Sequence, residues 1–290
     1  MTSLGYEIVD VFTDRPFAGN PLAVVFGAEH LASDQLQAIA REFNLSETVF
    51  LLPPRDVTAD YRVRIFTPLQ ELPFAGHPSI GAAVTAARRG LLTGDEVVQE
   101  CGAGLLPVRL TEPGYAILAG GQPTLGDPVD PTGLLAATGL TAADHTGPAP
   151  RVAGCGLEFH YLAVRPAAVS RAVLDWSAAQ RAGIEQISVF SWEPDGPVAQ
   201  ARVFCPGAGV GEDPATGSAA LGLGVWAVAG GLLPANGQSR YVVRQGSELR
   251  RPSTLDCTVT ALGGRARTAT VGGHVVQIAA GQIAVPPFVG

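Results

Sequence analysis

A chain of 290 residues and 29.8 kDa, 47% hydrophobic and 16% charged, has the composition of a well-cored globular protein, not of a disordered one. With 26 acidic against 19 basic side chains the net charge is -7, so no basic surplus exists to neutralise a phosphate backbone, and nucleic acid is not an expected partner. All 19 basic residues are arginine; without lysine, self-contained Schiff-base chemistry, a Walker P-loop and a Ser-x-x-Lys hydrolase are excluded.

Along the chain, short alternating runs dominate. Residues 1–8 show neither a basic n-region nor an apolar h-region, so no secretion signal is expected and the protein is expected in the cytoplasm. Tyr6–Phe12 reads as a strand with one buried face, as do Tyr61–Phe66, Ala199–Phe204 and Tyr241–Arg244. Ser33–Phe43 reads as an amphipathic helix with Leu36, Ile39, Ala40 and Phe43 on one face and Ser33 as its cap. The Pro- and Gly-rich segment from Gly120 to Pro131 is the expected domain linker. The near-apolar stretch from Ala219 to Leu233 contains four glycines and stops at Pro234; it is short for a membrane span and reads as a helix buried on all sides.

Comparing the halves exposes a repeat. Arg64-Ile-Phe-Thr-Pro68 precedes Gly76-His-Pro-Ser-Ile-Gly-Ala-Ala83, and Arg202-Val-Phe-Cys-Pro206 precedes Gly217-Ser-Ala-Ala-Leu-Gly222. Each is a strand ending in Pro, a Gly-containing loop, and a helix of small apolar residues that other elements must wrap. The expected fold is therefore α+β, with two pseudo-symmetric domains, each a curved sheet or barrel around one central buried helix. Residues 1–119 with a C-terminal segment of about 276–290 would form the first domain and 120–275 the second, with the active site in the cleft between them.

Two helix starts preceded by glycine suit an anion, because the first turn of a helix presents unpaired N–H groups and a partial positive charge. On this reading Gly76 and Gly217 hold a carboxylate, with His77 and Ser218 as further donors. Acid-base chemistry would come from Glu47, in Asn44-Leu-Ser-Glu-Thr-Val-Phe50, and Asp213, in Gly211-Glu-Asp-Pro-Ala-Thr-Gly217. Burial of Glu47 beside an apolar strand would raise its pKa toward the range of a general acid-base. The structural alternatives are that Asp213 caps the second helix and that Glu47 caps or pairs with an arginine. Competing motifs fail. Gly207–Glu212 lacks the last glycine of a dinucleotide fingerprint, no Gly-x-Ser-x-Gly elbow occurs, and the five histidines have no metal-binding spacing. Cys101, Cys155, Cys205 and Cys257 include no Cys-x-x-Cys pair and read as buried free thiols.

Four segments carry a resemblance: Asp10–Val24, Asn44–Glu47, Arg64–Pro78 and Gly211–Ala220. They are ordered along nearly the whole chain, and in them the sequence resembles the phenazine-biosynthesis isomerase family, the PhzF-like proteins of the diaminopimelate-epimerase fold. The resemblance implies cofactor-free isomerisation in a homodimer, acting on a small carboxylate such as trans-2,3-dihydro-3-hydroxyanthranilate, whose proton moves from C3 to C1, or on an alkyl-proline precursor. It makes Glu47 the general acid-base and has His77, Asp213 and Ser218 orient or polarise the substrate. Gly76 and Gly217 would hold the carboxylate, and Asn20 and Ser46 would also contact the substrate. No metal and no membrane are implied. The alternatives are an amino- or hydroxy-acid epimerase of the same fold, disfavoured because none of the four cysteines falls in the two loops, and a non-catalytic ligand-binding scaffold.

Overall fold

The computed structural model describes residues 3–193 and 196–287. The chain divides into two compact units, one of residues 1–118 and 272–290, the other of 119–271.

In the first unit the strands are β1 (Ser3–Val11), β2 (Asn20–Phe26), β3 (Glu47–Leu52), β4 (Tyr61–Phe66), β5 (Glu71–Leu72), β6 (Glu96–Cys101), β7 (Gly104–Glu112) and β8 (Tyr115–Ala119), with helices α1 (Ser33–Phe43) and α2 (Gly76–Arg88). In the second they are β9 (Pro123–Pro128), β10 (Arg151–Cys155), β11 (Glu158–Ala163), β12 (Ile187–Glu193), β13 (Val198–Cys205), β14 (Val210–Asp213), β15 (Gly237–Gln245) and β16 (Ser253–Leu262). Its helices are α3 (Pro131–Ala137), α4 (Pro166–Val169), α5 (Trp176–Arg181) and α6 (Gly217–Ala229). The last strand, β17 (Arg265–Ala284), runs through both.

The fold is α+β, and the units repeat one topology. In the first, β1–β2 is antiparallel, β2–β3 parallel, β3–β4 antiparallel, β4–β6 parallel and β6–β7 antiparallel. In the second, β10–β11, β11–β12, β12–β13, β13–β15 and β15–β16 follow the same alternation. In the first unit β17 pairs with both β1 and β8, closing an eight-strand barrel around α2. In the second the sheet curves so that both β10 and β16 reach α6.

Both central helices are made of small residues because strands press on them. A Cβ on Gly81 of α2 would collide with Leu22 and Val11, and a Cβ on Gly222 of α6 with the Tyr161 hydroxyl and the Gly154 backbone. Buried Tyr161 and Tyr241 each donate a hydroxyl to a carbonyl of α6, Ala219 and Ala220 respectively, at 2.7 Å. Burial keeps both phenols well above the usual tyrosine pKa. The remaining helices cover the outer faces of the sheets. Leu36, Ile39 and Ala40 of α1 pack on Val25, Phe50 and Phe66, and α3, α4 and α5 pack on Leu162, Ile187 and Val189.

Four sequence expectations need correction. Helix α1 spans Ser33–Phe43 as read, but Ala32 occupies the N-cap; the Gln35 side chain accepts from the Ala32 N–H at 3.1 Å, while Ser33 Oγ accepts from Arg64 at 2.8 Å. Asp213 does not cap α6 either, since it ends β14 and Thr216 is the N-cap. Residues 120–131 begin just past the division between the units, where the linker is expected, but they are paired structure and not an irregular connection. Gly120 and Gly121 donate to Ala269 and Cys155, and Pro123–Pro128 is a strand paired with β10. All four cysteines are free as expected, but Cys101 is only partly buried.

Candidate active site

In the first unit the chain brings five of the residues singled out from the sequence together. Glu47 is the first residue of β3, and Asn20 the first of β2, which lies parallel to β3. Gly76 and His77 open α2, and all of this helix but its last two residues is buried. Ser46 immediately precedes Glu47.

Their hydrogen bonds fix a direction. The Ser46 hydroxyl donates to Asn20 Oδ1 at 3.0 Å, which leaves the Asn20 amide nitrogen facing His77 Nδ1 at 3.3 Å. An amide NH2 can only donate, so Nδ1 accepts and the imidazole proton sits on Nε2. His77 Nε2 lies 3.4 Å from Glu47 Oε2. The His77 side chain is 6% exposed and that of Glu47 17%. Burial pushes the His77 pKa down to about 3, so near neutral pH the imidazole is neutral; its buried Nε2 stands close to the carboxylate but makes no hydrogen bond. A histidine in that state can orient or polarise. It is poorly suited to shuttle a proton near neutrality, and the other titratable side chain of the cluster is Glu47.

The α2 start is braced from behind. Gln99, fully buried on β6, accepts from the Tyr61 hydroxyl at 3.2 Å and donates to Ser79 Oγ at 2.9 Å; Ser79 in turn donates to the carbonyl of Ala75, the helix N-cap, at 2.9 Å. Gln99 was not apparent from the sequence, where it is one polar residue in an alternating strand.

In the second unit, Asp213, Gly217 and Ser218 lie in one loop and helix start. Gly217 is the first residue of α6, and Gly217 and Ser218 are buried. Thr216 Oγ donates to Asp213 Oδ2 at 2.5 Å, the short bond expected of a hydroxyl on a carboxylate. Glu212, beside Asp213, is gripped by Arg202 through two hydrogen bonds of 2.9 and 2.6 Å. The same bidentate pair recurs in the first unit between Arg64 and Glu71, at 2.7 and 2.6 Å. The repeated arginine thus anchors the strand that leads into each helix start.

Among the described residues, no group of three or more His, Cys, Asp or Glu side chains is placed to hold a metal ion, and no helix is long and apolar enough to cross a membrane.

Residues 9–281 match the family model described as phenazine biosynthesis-like protein. The chain belongs to that family. An uncharacterized isomerase of Mesorhizobium japonicum is 35% identical over 98% of this chain and 99% of its own length. The trans-2,3-dihydro-3-hydroxyanthranilate isomerase of Pseudomonas aeruginosa is 33% identical over 96% of this chain and 98% of its own. Among solved structures, the PhzF-family phenazine biosynthesis protein of Bacillus anthracis has a TM-score of 0.88 at 23% identity, covering 98% of this chain and all of that one, which shows the shared fold. The protein is an isomerase of the PhzF family.

Proposed function

We propose that this isomerase moves a proton, and with it a double bond, within a small unsaturated carboxylate, using Glu47 as general acid-base and no cofactor. The observation that carries the reading is the partly buried Glu47 carboxylate 3.4 Å from Nε2 of a neutral His77. Glu47 breaks a C–H bond at an activated sp3 carbon and takes the proton. The double bond shifts, and Glu47 returns the proton to a carbon further along the conjugated system. Atoms and charge balance within one molecule, so neither oxidant nor metal is required. The helix starts at Gly76 and Gly217 favour the substrate carboxylate; Asp213 and Ser218 position the substrate, and Asn20 and Ser46 hold His77 in its donating tautomer. The substrate class is that of trans-2,3-dihydro-3-hydroxyanthranilate, on which the Pseudomonas relative acts, or of a similar natural-product intermediate. A cytoplasmic homodimer is part of the same reading.

The test is Glu47→Gln, which keeps size and much of the hydrogen bonding but cannot carry the proton. With trans-2,3-dihydro-3-hydroxyanthranilate and related cyclic unsaturated carboxylates in D2O, the variant should bind nearly as the wild type does. Its turnover and deuterium incorporation should fall by at least about 100-fold. Near-normal turnover in a folded variant would sink the mechanism. Deuterium at a saturated stereocentre without double-bond movement would instead favour an epimerase.

A further inference from the structure

Gln245, the last residue of β15, is buried and takes no part in the reaction as described. Its amide is committed at both ends. Oε1 accepts from the Thr216 N–H at 3.2 Å, and Nε2 donates to the Asp213 carbonyl at 2.7 Å and to Thr216 Oγ at 3.0 Å. A backbone N–H can only donate and a carbonyl only accept, so these partners fix the orientation of the Gln245 amide. Because Thr216 Oγ receives a hydrogen from Gln245, its own hydrogen is available to Asp213 Oδ2, 2.5 Å away. One side chain therefore sets the direction of the hydroxyl and ties down the backbone on either side of Pro214.

The surroundings make this bracket rigid. Gly246 has φ +79, and a Cβ there would strike the carbonyls of Arg251 and Pro214. Ser253 Oγ also donates toward the Pro214 carbonyl, at 3.0 Å. The first unit shows what is particular here. When Arg64 is aligned with Arg202, the parallel ladders Tyr61↔Gln99 and Ala201↔Gln245 place Cys101 where the second unit has Gln245. Gly102 approaches Pro73 there much as Gly246 approaches Pro214. The N-cap in the first unit is Ala75, which has no hydroxyl to direct. The amide–hydroxyl–carboxylate relay belongs to the second unit.

We propose that Gln245 is a positioning residue for isomerisation: by directing the Thr216 hydroxyl onto Asp213 it presents that carboxylate to the substrate in a single orientation. The proposal rests on the assignment of Asp213 to substrate positioning. Gln245→Leu removes both ends of the bracket at similar size. Gln245→Glu keeps an acceptor for the Thr216 N–H but, when ionised, attracts the Thr216 hydroxyl away from Asp213. When protonated it can donate again.

The experiment compares the full-length wild type with both variants, with trans-2,3-dihydro-3-hydroxyanthranilate as the probe and hydrogen exchange at the Thr216 amide as a readout needing no ligand. We expect kcat/KM to fall by about ten- to a hundredfold in Gln245→Leu, the worth of one or two hydrogen bonds, with urea unfolding still cooperative. For Gln245→Glu the ratio of variant to wild-type kcat/KM should rise as pH falls, a recovery that a general loss of packing would not produce. Thr216 exchange should quicken at least about tenfold in Gln245→Leu alone. Activity of Gln245→Leu within twofold of wild type, a pH-independent ratio for Gln245→Glu, or unchanged Thr216 exchange would each overturn the proposal. A wild type inert toward the probe overturns the substrate assignment, and the exchange measurement then decides whether Gln245 holds the loop.

Discussion

The two helix starts stand on the same scaffold and carry different chemistry. In each unit an arginine from the repeated Arg-x-Phe-x-Pro strand grips a glutamate on the next short strand. In each, a glycine at the end of a parallel strand lets the backbone approach the proline that begins the loop. On that shared frame the first unit sets Glu47, neutral His77, Asn20 and Ser46, a group whose one carboxylate would cycle the proton in the proposed reaction. The second sets Asp213, Thr216 and Gln245, whose hydrogen bonds hold the carboxylate in place. Duplication of a fold thus preserves the backbone geometry at a helix start, while a few side chains would divide the work of the proposed reaction into proton transfer and positioning.

The comparison is most exposed to the two arginines. Arg202 is 9% exposed and also donates to the carbonyls of Val169, Ser170 and Ala172. Arg64 is 23% exposed and pairs with a glutamate that is 41% exposed. Arg202→Met leaves the largely buried Glu212, 10% exposed, without its partner and should cost about 3 kcal/mol in urea denaturation. Arg64→Met should cost no more than about 1 kcal/mol. Equal costs would mean that the two anchors are not used differently.

Division of labour is probed by pairing Glu47→Gln with Asp213→Asn. The first should lower kcat by at least about 100-fold, or roughly 2.7 kcal/mol in barrier, with KM little changed. The second should raise KM and lower kcat together. Steady-state kinetics with the same substrate separates them, and a pure kcat effect in Asp213→Asn would give that residue a share of the proton transfer.

The central helices differ in what a methyl group would meet. At Gly222 the obstacles include the Gly154 backbone and a hydroxyl engaged with Ala219, whereas at Gly81 they are the ends of the Leu22 and Val11 side chains. Gly222→Ala should therefore destabilise by about 1–3 kcal/mol and Gly81→Ala by less, as read from thermal unfolding. The reverse order would show that α2 is the more tightly enclosed helix.

Protonation of His77 gives a pH-dependent test of the first unit. The His77 pKa falls from 6.5 unfolded to about 3 folded, so between those values the unfolded chain binds the extra proton. His77 then contributes stability that is fully present above about pH 6.5 and is lost as pH falls toward 3. In His77→Gln the pH dependence of the urea midpoint should be shallower over that window than in the wild type. An unchanged slope would mean that the buried imidazole does not resist protonation.

Parts of this were legible in the chain. The Arg-x-Phe-x-Pro repeat and the small-residue helices announced two similar units, because a helix of Ala, Gly and Val has no side chains to shield itself and must be enclosed. The α1 pattern gave its span, since an apolar stripe at 3.6-residue spacing admits few registers. Other parts were not legible. Pro123–Pro128 has turn composition yet forms a strand, because pairing with β10 satisfies its backbone groups. The caps read at Ser33 and Asp213 went elsewhere because Arg64 and Thr216, distant or unremarkable in sequence, offered those side chains other partners. Gln245 and Gln99 gave no signal, since an amide on an alternating strand looks like any solvent-facing position until the fold buries it.

By itself the sequence determined which segments alternate, which helices must be enclosed and which residues can carry a proton, for these depend on local pattern and side-chain chemistry. The tertiary structure decided that Asn20, from a different strand, fixes the tautomer of His77, and that burial makes that histidine neutral. It likewise decided that Gln245, 29 residues beyond Thr216, commits the Thr216 hydroxyl to Asp213. The physical reason is the same in each case. The direction of a hydrogen bond and the cost of a charge are set by what surrounds a group in space, and no spacing along the chain encodes that.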